Sequence, residues 1–329
     1  MAMWQYLAKR VFVLMPTLFL IMLVGFIIMQ LPPADFVDQY ISREAARGNT
    51  GVAGQEDMLR QQFGLDQPLP IQFVNWVGGF FTGNFGISFA DKREVSEIMM
   101  DRLPATLAIA FMAFLLSWGV GIPLGVYSAT HQYRAGDVAL TGIAFVGIGL
   151  PDFLLALIFL VVAFYATGDV LLGLSSPEFV GAPLSWAKLA DFMSYAWLSV
   201  VAVAFTGMAY IMRVTRNNML EELGKPYVMT LRAKGLPERV VIWKHVFRNA
   251  MHPLVMLFGQ VLSFLINGFA ITSVVLNLPT IQSTYLQATL LQDTYLAGAI
   301  LVLIALTVML GNLISDLLLA WIDPRVRYD

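Results

Sequence analysis

The chain has 329 residues, 58% of them hydrophobic and 13% charged, with a formal net charge of −2 and a mean hydropathy of +0.72. A soluble domain of this size could not hide so much apolar side chain, so part of its solvent is lipid. It has no cysteine, which excludes disulfides, thiolate nucleophiles and cysteine metal sites.

His131, His245 and His252 are the only imidazoles, at spacings that suggest no zinc site. The chain carries no G-x-x-x-x-G-K-[ST] phosphate loop, no G-x-S-x-G and no H-E-x-x-H. We therefore expect no covalent chemistry, metal or cofactor on this chain, and no nucleic-acid partner.

Six apolar runs are long enough to cross a hydrocarbon core about 30 Å thick: residues 11–31, 104–128, 138–166, 194–213, 254–276 and 296–321. They predict an all-α polytopic membrane protein with an N-terminal transmembrane helix over 1–31, an extracytoplasmic segment over 32–103 and a core over 104–329 with five further spans. The first run follows Lys9 and Arg10, but it is too long for a signal-peptide core. "QLPPADF" also offers no small-x-small cleavage site, so the helix is expected to be retained.

Residues 32–103 mix helix-compatible charge ("GQEDMLRQQFG") with aromatic and glycine-rich stretches ("NWVGGFFTGNFGISF"). They predict a small folded cap on the outer membrane surface. Whether the cap also contacts a partner or gates an outer mouth is open from sequence. In the third span Asp152 follows Pro151 close to Gly147 and Gly149, a cluster able to kink the helix. A charge at that depth costs at least about 2.5–3.5 kcal/mol on insertion scales. Asp152 thus either lines a pathway for a cationic or amine-bearing ligand or caps N–H groups freed at the kink. Trp186, Tyr195 and Trp197, in and after the outer segment 167–193, suit a membrane boundary.

Lysine and arginine set the orientation. With the N-terminus inside, the cytoplasmic side receives Lys9, Arg10, Arg134, Arg213, Arg216, Lys225, Arg232, Lys234, Arg239, Lys244, Arg248, Arg325 and Arg327, thirteen of the twenty. Both termini are then cytoplasmic. Most of these cations lie in a loop of about 214–252, whose centre reads "YVMTLRAKGLPERVVIWKHVFRNAMHPL". Gly224 and Gly235 are placed to close helices, and Pro226 and Pro237 to open them. The pattern predicts short helices over about 226–234 and 237–250 with a corner at Gly235. Leu236, Val240, Trp243 and Phe247 form a helical stripe flanked by Arg239, Lys244 and Arg248. Such a stripe suits either a membrane interface or a groove on another protein, where Trp and Arg are frequent anchors. On the fifth span Gln260, Ser263 and Asn267 make a narrow polar stripe at spacings of three and four. On the sixth, Asn312 and Asp316 share a helix face and predict a polar clasp between helices. Asp323, Pro324 and Arg325 then end the helix, leaving Arg325 and Arg327 for anionic lipid or a partner.

The 227–255 stretch resembles the cytoplasmic signature loop of permease subunits in the dipeptide, oligopeptide and nickel branch of ABC importers. "FGLDQPLPIQFVNWVGGFFTGNFGISF" (63–89), "RLPATLAIA" (102–110), "GIPLGVYSA" (121–129), "GLPDFLLAL" (149–157) and "NLISDLLLAWIDPRVRYD" (312–329) resemble other parts of that branch, in order and along nearly the whole chain. They match its first permease type. Two departures stand out. Met229, Thr230 and Leu231 occupy the place of the wider family's E-A-A triplet, and "PPADF" stands where many relatives have P-G-D-P.

The resemblance implies a type I importer permease fold in a bacterial inner membrane. It further implies a homologous second permease, two cytoplasmic ATPases holding ATP and magnesium, and a periplasmic substrate-binding protein. Tyr227, Leu231, Arg232, Ala233, Lys234, Gly235, Leu236, Arg239 and Trp243 would then sit on helices that couple to the ATPases, and the fifth span would line the route with its Gln260, Ser263 and Asn267 stripe. The expected cargo is a di- or oligopeptide. An oligosaccharide, opine or metal chelate carried by the same architecture is an alternative, as is a self-sufficient secondary transporter or channel. No internal inverted repeat favours that last reading.

Overall fold

The computed structural model describes residues 3–322 apart from Pro33, Ala34, Asn49, Phe63, Val180, Gly181 and Leu184. The expected helix end at Asp323–Arg325 and the contacts of Arg325 and Arg327 lie outside the described residues. Helices dominate: α1 (Met3–Gln30), α2 (Phe36–Ala46), α3 (Glu56–Gln62), α4 (Leu69–Thr82), α5 (Val95–Thr130), α6 (Ala135–Gly149), α7 (Asp152–Thr167), α8 (Trp186–Leu223) and α9 (Pro226–Ala233). After a corner come α10 (Glu238–Val240), a π-helical turn (Val241–Val246), α11 (Phe247–Asn267), α12 (Ala270–Val275), α13 (Ile281–Leu290) and α14 (Thr294–Ile322).

Among the described residues four helical stretches are long and apolar enough to span: Phe12–Gln30, Val95–Thr130, Trp186–Leu223 and Thr294–Leu317. The expected fifth span, 254–276, is not among these four, since α11 ends at Asn267 and α12 starts at Ala270, and the expected third span is not one rod. α6 and α7 meet at 116° across Leu150–Pro151. Pro151 lacks an N–H and pushes Leu150 out of the helical region, to φ −96° and ψ 140°, so the break is local chemistry.

Residues fall into two compact units. The first comprises residues 1–104 and 280–309. Its core joins Phe26, Trp76 and Val302 to a second cluster of Val95, Ile98, Ile281 and Ile300. Asp35 caps α2 through a reciprocal capping box with Asp38, which gives the "PPADF" departure a helix start. Arg60 from α3 then pairs with Asp35 and, at 2.7 Å, with Asp38. The buried carboxylate of Asp293 accepts from the Ser88 hydroxyl at 2.5 Å, the Ala90 N–H at 3.1 Å and the Leu296 N–H at 3.1 Å, tying the 86–95 turn to the start of α14.

The second unit comprises residues 105–279 and 310–329, organised on α8. Small residues let neighbours approach: Ala202 and Ala204 are fully buried beside Leu198 and Ile211. Gly121 and Gly125 on α5 face the Met208–Thr215 stretch of α8. A Cβ on Gly125 would lie 2.6 Å from the Met212 carbonyl oxygen. This is the small-xxx-small contact that lets membrane helices meet closely. Gly259 on α11 abuts the Gly311 carbonyl of α14 in the same way.

Candidate functional site

The 214–252 loop folds as a packed hairpin. α8 ends at Leu223, Gly224 caps it with an ordinary helical φ of −79°, and Pro226 opens α9 at its first position. Gly235 turns the corner at φ +76°, a conformation that costs other L-residues about 1–2 kcal/mol. Pro237 is the residue before α10 and not its first member. Below the corner, Val228, Val241 and Val246 are fully buried with Met219, Val126 and Ala129. Each buried valine is worth about 1.5–3 kcal/mol, so the hairpin is clamped onto the ends of α5 and α8. Tyr227 donates to Glu222 at 2.8 Å and accepts from Asn249 at 3.2 Å. Burial raises its phenol above the ordinary range.

The tip differs from its base. Arg232, Ala233, Lys234, Gly235 and Arg239 are exposed, while Leu231 and Leu236 are half-buried. Across the corner Arg232 donates twice to Glu238, at 2.6 and 3.1 Å, and holds that carboxyl below its ordinary range. Both partners are about half exposed, so the pair is worth roughly 0–1 kcal/mol. The corner's shape therefore comes from the Gly235 backbone and the valine clamp. The apolar and cationic tip is geometrically free to enter a groove on another protein.

The second hairpin helix is not a separate short helix ending near 250. α10, the π-helical turn and α11 follow one another without a break from Glu238 to Asn267. The wider π turn shifts register, so the expected Leu236, Val240, Trp243, Phe247 stripe divides. Val241, Val246 and Ala250 face the core, whereas Trp243 is 51% exposed and packs on Phe247, centroids 5.1 Å apart. Pro253 inside α11 cannot donate to the Asn249 carbonyl, and His252 Nδ1 meets that oxygen at 3.2 Å.

Asp152 stands at the α6–α7 break. Its carboxylate accepts from the Thr206 hydroxyl of α8 at 2.5 Å, and Thr206 also lies 3.1 Å from the Gly147 carbonyl oxygen that the break leaves open. The start of α7 has no side-chain cap hydrogen bond, which counts against the expected capping role. The polar stripe of α11 divides as well. Gln260 is exposed, but Ser263 is 8% exposed and directed at Gly311, and the half-buried Asn267 side chain keeps both amide atoms out of solvent. Of the two residues expected to form a clasp on α14, Asn312 and Asp316, Asp316 is half-buried. Asn312 is exposed, and Ser315 between them donates to the Met256 carbonyl of α11 at 2.8 Å.

One buried charge pair was not singled out from sequence. Asp137, at the start of α6, accepts from Arg216 of α8 at 2.7 and 3.0 Å, from Ser128 of α5, and from the Tyr133 N–H at 2.9 Å. Its side chain is only 3% exposed. The pair locks three helices together just above the hairpin. Its sequence signal was weak: Arg216 counts among the inward-side cations, and only an acid able to reach it gives it a second role. Among the described residues no group of three or more His, Asp or Glu could hold a metal ion.

Comparison with known proteins agrees with this architecture. Residues 121–328 match the family described as binding-protein-dependent transport system inner membrane component, and residues 3–110 match its N-terminal companion. The oligopeptide transport system permease protein AppB of Bacillus subtilis is 31% identical over 99% of this chain and all of the relative. The inner membrane ABC transporter permease protein YejB of Escherichia coli O157:H7 is 28% identical over 99% of this chain and all of the relative. The peptidoglycan transport system permease protein YejB of Agrobacterium fabrum is 27% identical over 99% of both. Among solved structures the inward-facing MetNI methionine ABC transporter superposes with a TM-score of 0.55 at 17% identity, covering 69% of this chain and 97% of that one. This likeness bears on the fold alone. With its apolar spanning helices, type I importer permease fold and end-to-end kinship, the chain is a multi-pass inner-membrane protein that belongs to the family of binding-protein-dependent transport system inner membrane components.

Proposed function

We propose that this chain is one of two permease subunits of an ATP-driven importer that takes di- or oligopeptides from a periplasmic binding protein. It passes them inward by alternating access. The observation that carries the cargo is the full-length kinship to a permease named for oligopeptide transport. The mechanical part rests on the hairpin. Two partner ATPases, holding ATP and magnesium, grip the exposed tip around Arg232, Lys234, Gly235 and Arg239, with Tyr227, Leu231, Ala233, Leu236 and Trp243 supporting or flanking it. Displacement of the tip passes through the valine clamp into α5 and α8, and through the unbroken run from Glu238 to Asn267 into the fifth span. Both termini lie in the cytoplasm, the 32–103 segment faces outward, and Asp152 and Gln260 face the route.

The test is reconstitution. The tagged chain is purified from its native membrane, its companions are identified, and the assembly is placed in proteoliposomes with ATP at the ATPase side. Uptake of labelled tri-alanine that needs ATP, binding protein, a second permease and two ATPases is the expected result. A homodimer of this chain that transports alone would overturn the proposal.

A further inference from the structure

The first unit contains a cavity of about 610 Å³ that none of the transport steps above uses. It lies among α3, α4 and the 84–92 loop. Six amide side chains line it, Gln61, Gln62, Gln67, Gln72, Asn75 and Asn84, and the described lining contains no carboxylate. Lys92 is the one charged lining residue among those described. Trp76, Phe89 and Tyr295 supply apolar surface, with Phe89 edge-on to Tyr295 at 5.2 Å.

The walls are held in place. Gly79 lets the Asn84 carbonyl sit where a Cβ would be. Gly86, at φ +84°, tucks under Tyr295, whose ring would be 2.6 Å from a Cβ there. The buried Asp293 carboxylate pins Ser88 and Ala90 in the same loop. The amides are partly committed to one another. Gln72 donates to the Gln67 carbonyl at 2.7 Å, Asn75 donates to the Gln67 side-chain oxygen at 3.0 Å, and Asn84 accepts from the Gly86 N–H at 3.0 Å. These bonds occupy the oxygens of Gln67 and Asn84 and leave their NH2 groups for a guest. Lys92 holds a left-handed φ of +54°, and its ammonium lies 5.8 Å from the centre of the Tyr40 ring.

A site of this volume falls within the range of about 300–1,000 Å³ typical of small-ligand pockets. Gln67 and Asn84 thus offer donors, and the exposed Gln61 and Gln62 offer both a donor and an acceptor, which together match the alternating C=O and N–H of a peptide main chain. A lone cation without a counter-acid matches one terminal carboxylate, and the aromatic faces accept side chains of varied shape. We infer that the cavity binds a short peptide, its main chain held by the amides and its carboxylate by Lys92. The inference rests on the peptide-importer reading and adds a binding site on the permease itself, apart from the hairpin and the spans.

The test uses the whole transporter in nanodiscs, without binding protein, titrated calorimetrically with tri-alanine, tri-alanine amide and maltose. Tri-alanine is expected to bind saturably, and at least about tenfold more weakly when its carboxylate is amidated or when Lys92→Asn removes the cation. Asparagine tolerates the left-handed backbone, so the fold is spared, and Lys92→Arg should restore binding. The double change Gln61→Ala, Gln62→Ala should weaken tri-alanine binding as well. The inference is overturned if tri-alanine fails to bind while the same preparation, given binding protein and ATP, imports it. Maltose binding in place of the peptide, or affinity indifferent to all these changes, overturns it too. An assembly that imports no peptide under any condition refutes the importer reading instead.

Discussion

Removing either partner of the Asp137–Arg216 pair tests whether it locks α5, α6 and α8 into one body. Arg216→Met leaves a carboxylate 3% exposed, still served by Ser128 and the Tyr133 N–H. Breaking a buried pair typically costs about 3–5 kcal/mol, and the surviving donors place this case near about 3 kcal/mol, a shift of more than a hundredfold in the unfolding equilibrium. Asp137→Asn should cost less, about 1.5–3 kcal/mol, because the Arg216 side chain is 18% exposed and can reach water. The double variant removes both charges, so its cost should fall short of the sum by more than about 1 kcal/mol. Reversible unfolding of the purified chain in mixed micelles, followed by circular dichroism, measures all four corners of the cycle. Additivity within about 0.5 kcal/mol, or a cost below about 1 kcal/mol for Arg216→Met, would show that the pair is a bystander and refute the reasoning.

Four further outcomes follow from the geometry. Gly235 has open space around it and a φ of +76°, so Gly235→Asn should keep ATP-dependent uptake near normal. Gly235→Val, strained by about 1–2 kcal/mol, should lower uptake without lowering membrane insertion; equal uptake in both variants would count against a rigid corner. Gly125→Ala should cost about 1–3 kcal/mol through overpacking against Met212 and Thr215. Gly119→Ala, with nothing within 4 Å, should be neutral or stabilising in the same unfolding assay. If Asp152 faces the route, Asp152→Asn should reduce uptake of tri-lysine more than that of tri-alanine, while Thr206→Val, which keeps the charge, should not discriminate; equal losses would leave Asp152 a structural partner of Thr206. Burial raises the Asp293 carboxyl above the ordinary carboxylate range, against the opposing bonds from Ser88 and backbone N–H groups. A raised folded pKa means stability present below about pH 3.8 and lost as pH rises through the folded value. Ser88→Ala removes a donor to the charged form and should widen that loss, measured as melting temperature against pH.

Much of this protein was legible along the chain because its signals are local. Apolar length depends on composition within a window of some twenty residues, so the four single-helix spans needed no three-dimensional information. Hairpin punctuation was similarly local: Gly235 and Pro226 do in the structure what their backbone preferences require. Pro151 marked the break in the third span, although the 116° bend exceeds a kink. The π-helical turn had no such marker, and it turned Trp243 outward while burying Val241 and Val246.

Other features belonged to the tertiary structure alone because each pairs residues far apart in sequence. Arg216 meets Asp137 across 79 residues, Ser315 meets Met256 across 59, and Asp293 meets Ser88 across 205. A helix face read by spacing identifies which residues share a side, not what that side meets. Gln260 and Ser263 looked equivalent as polar residues of one stripe. Close approach of Gly259 and Gly311 put Ser263 inside a helix contact and left Gln260 exposed. Apolar length, positive charge and turn chemistry are properties of short windows, and the sequence by itself determined them. Partners of buried polar groups depend on which helices pack together, and only the fold could decide them.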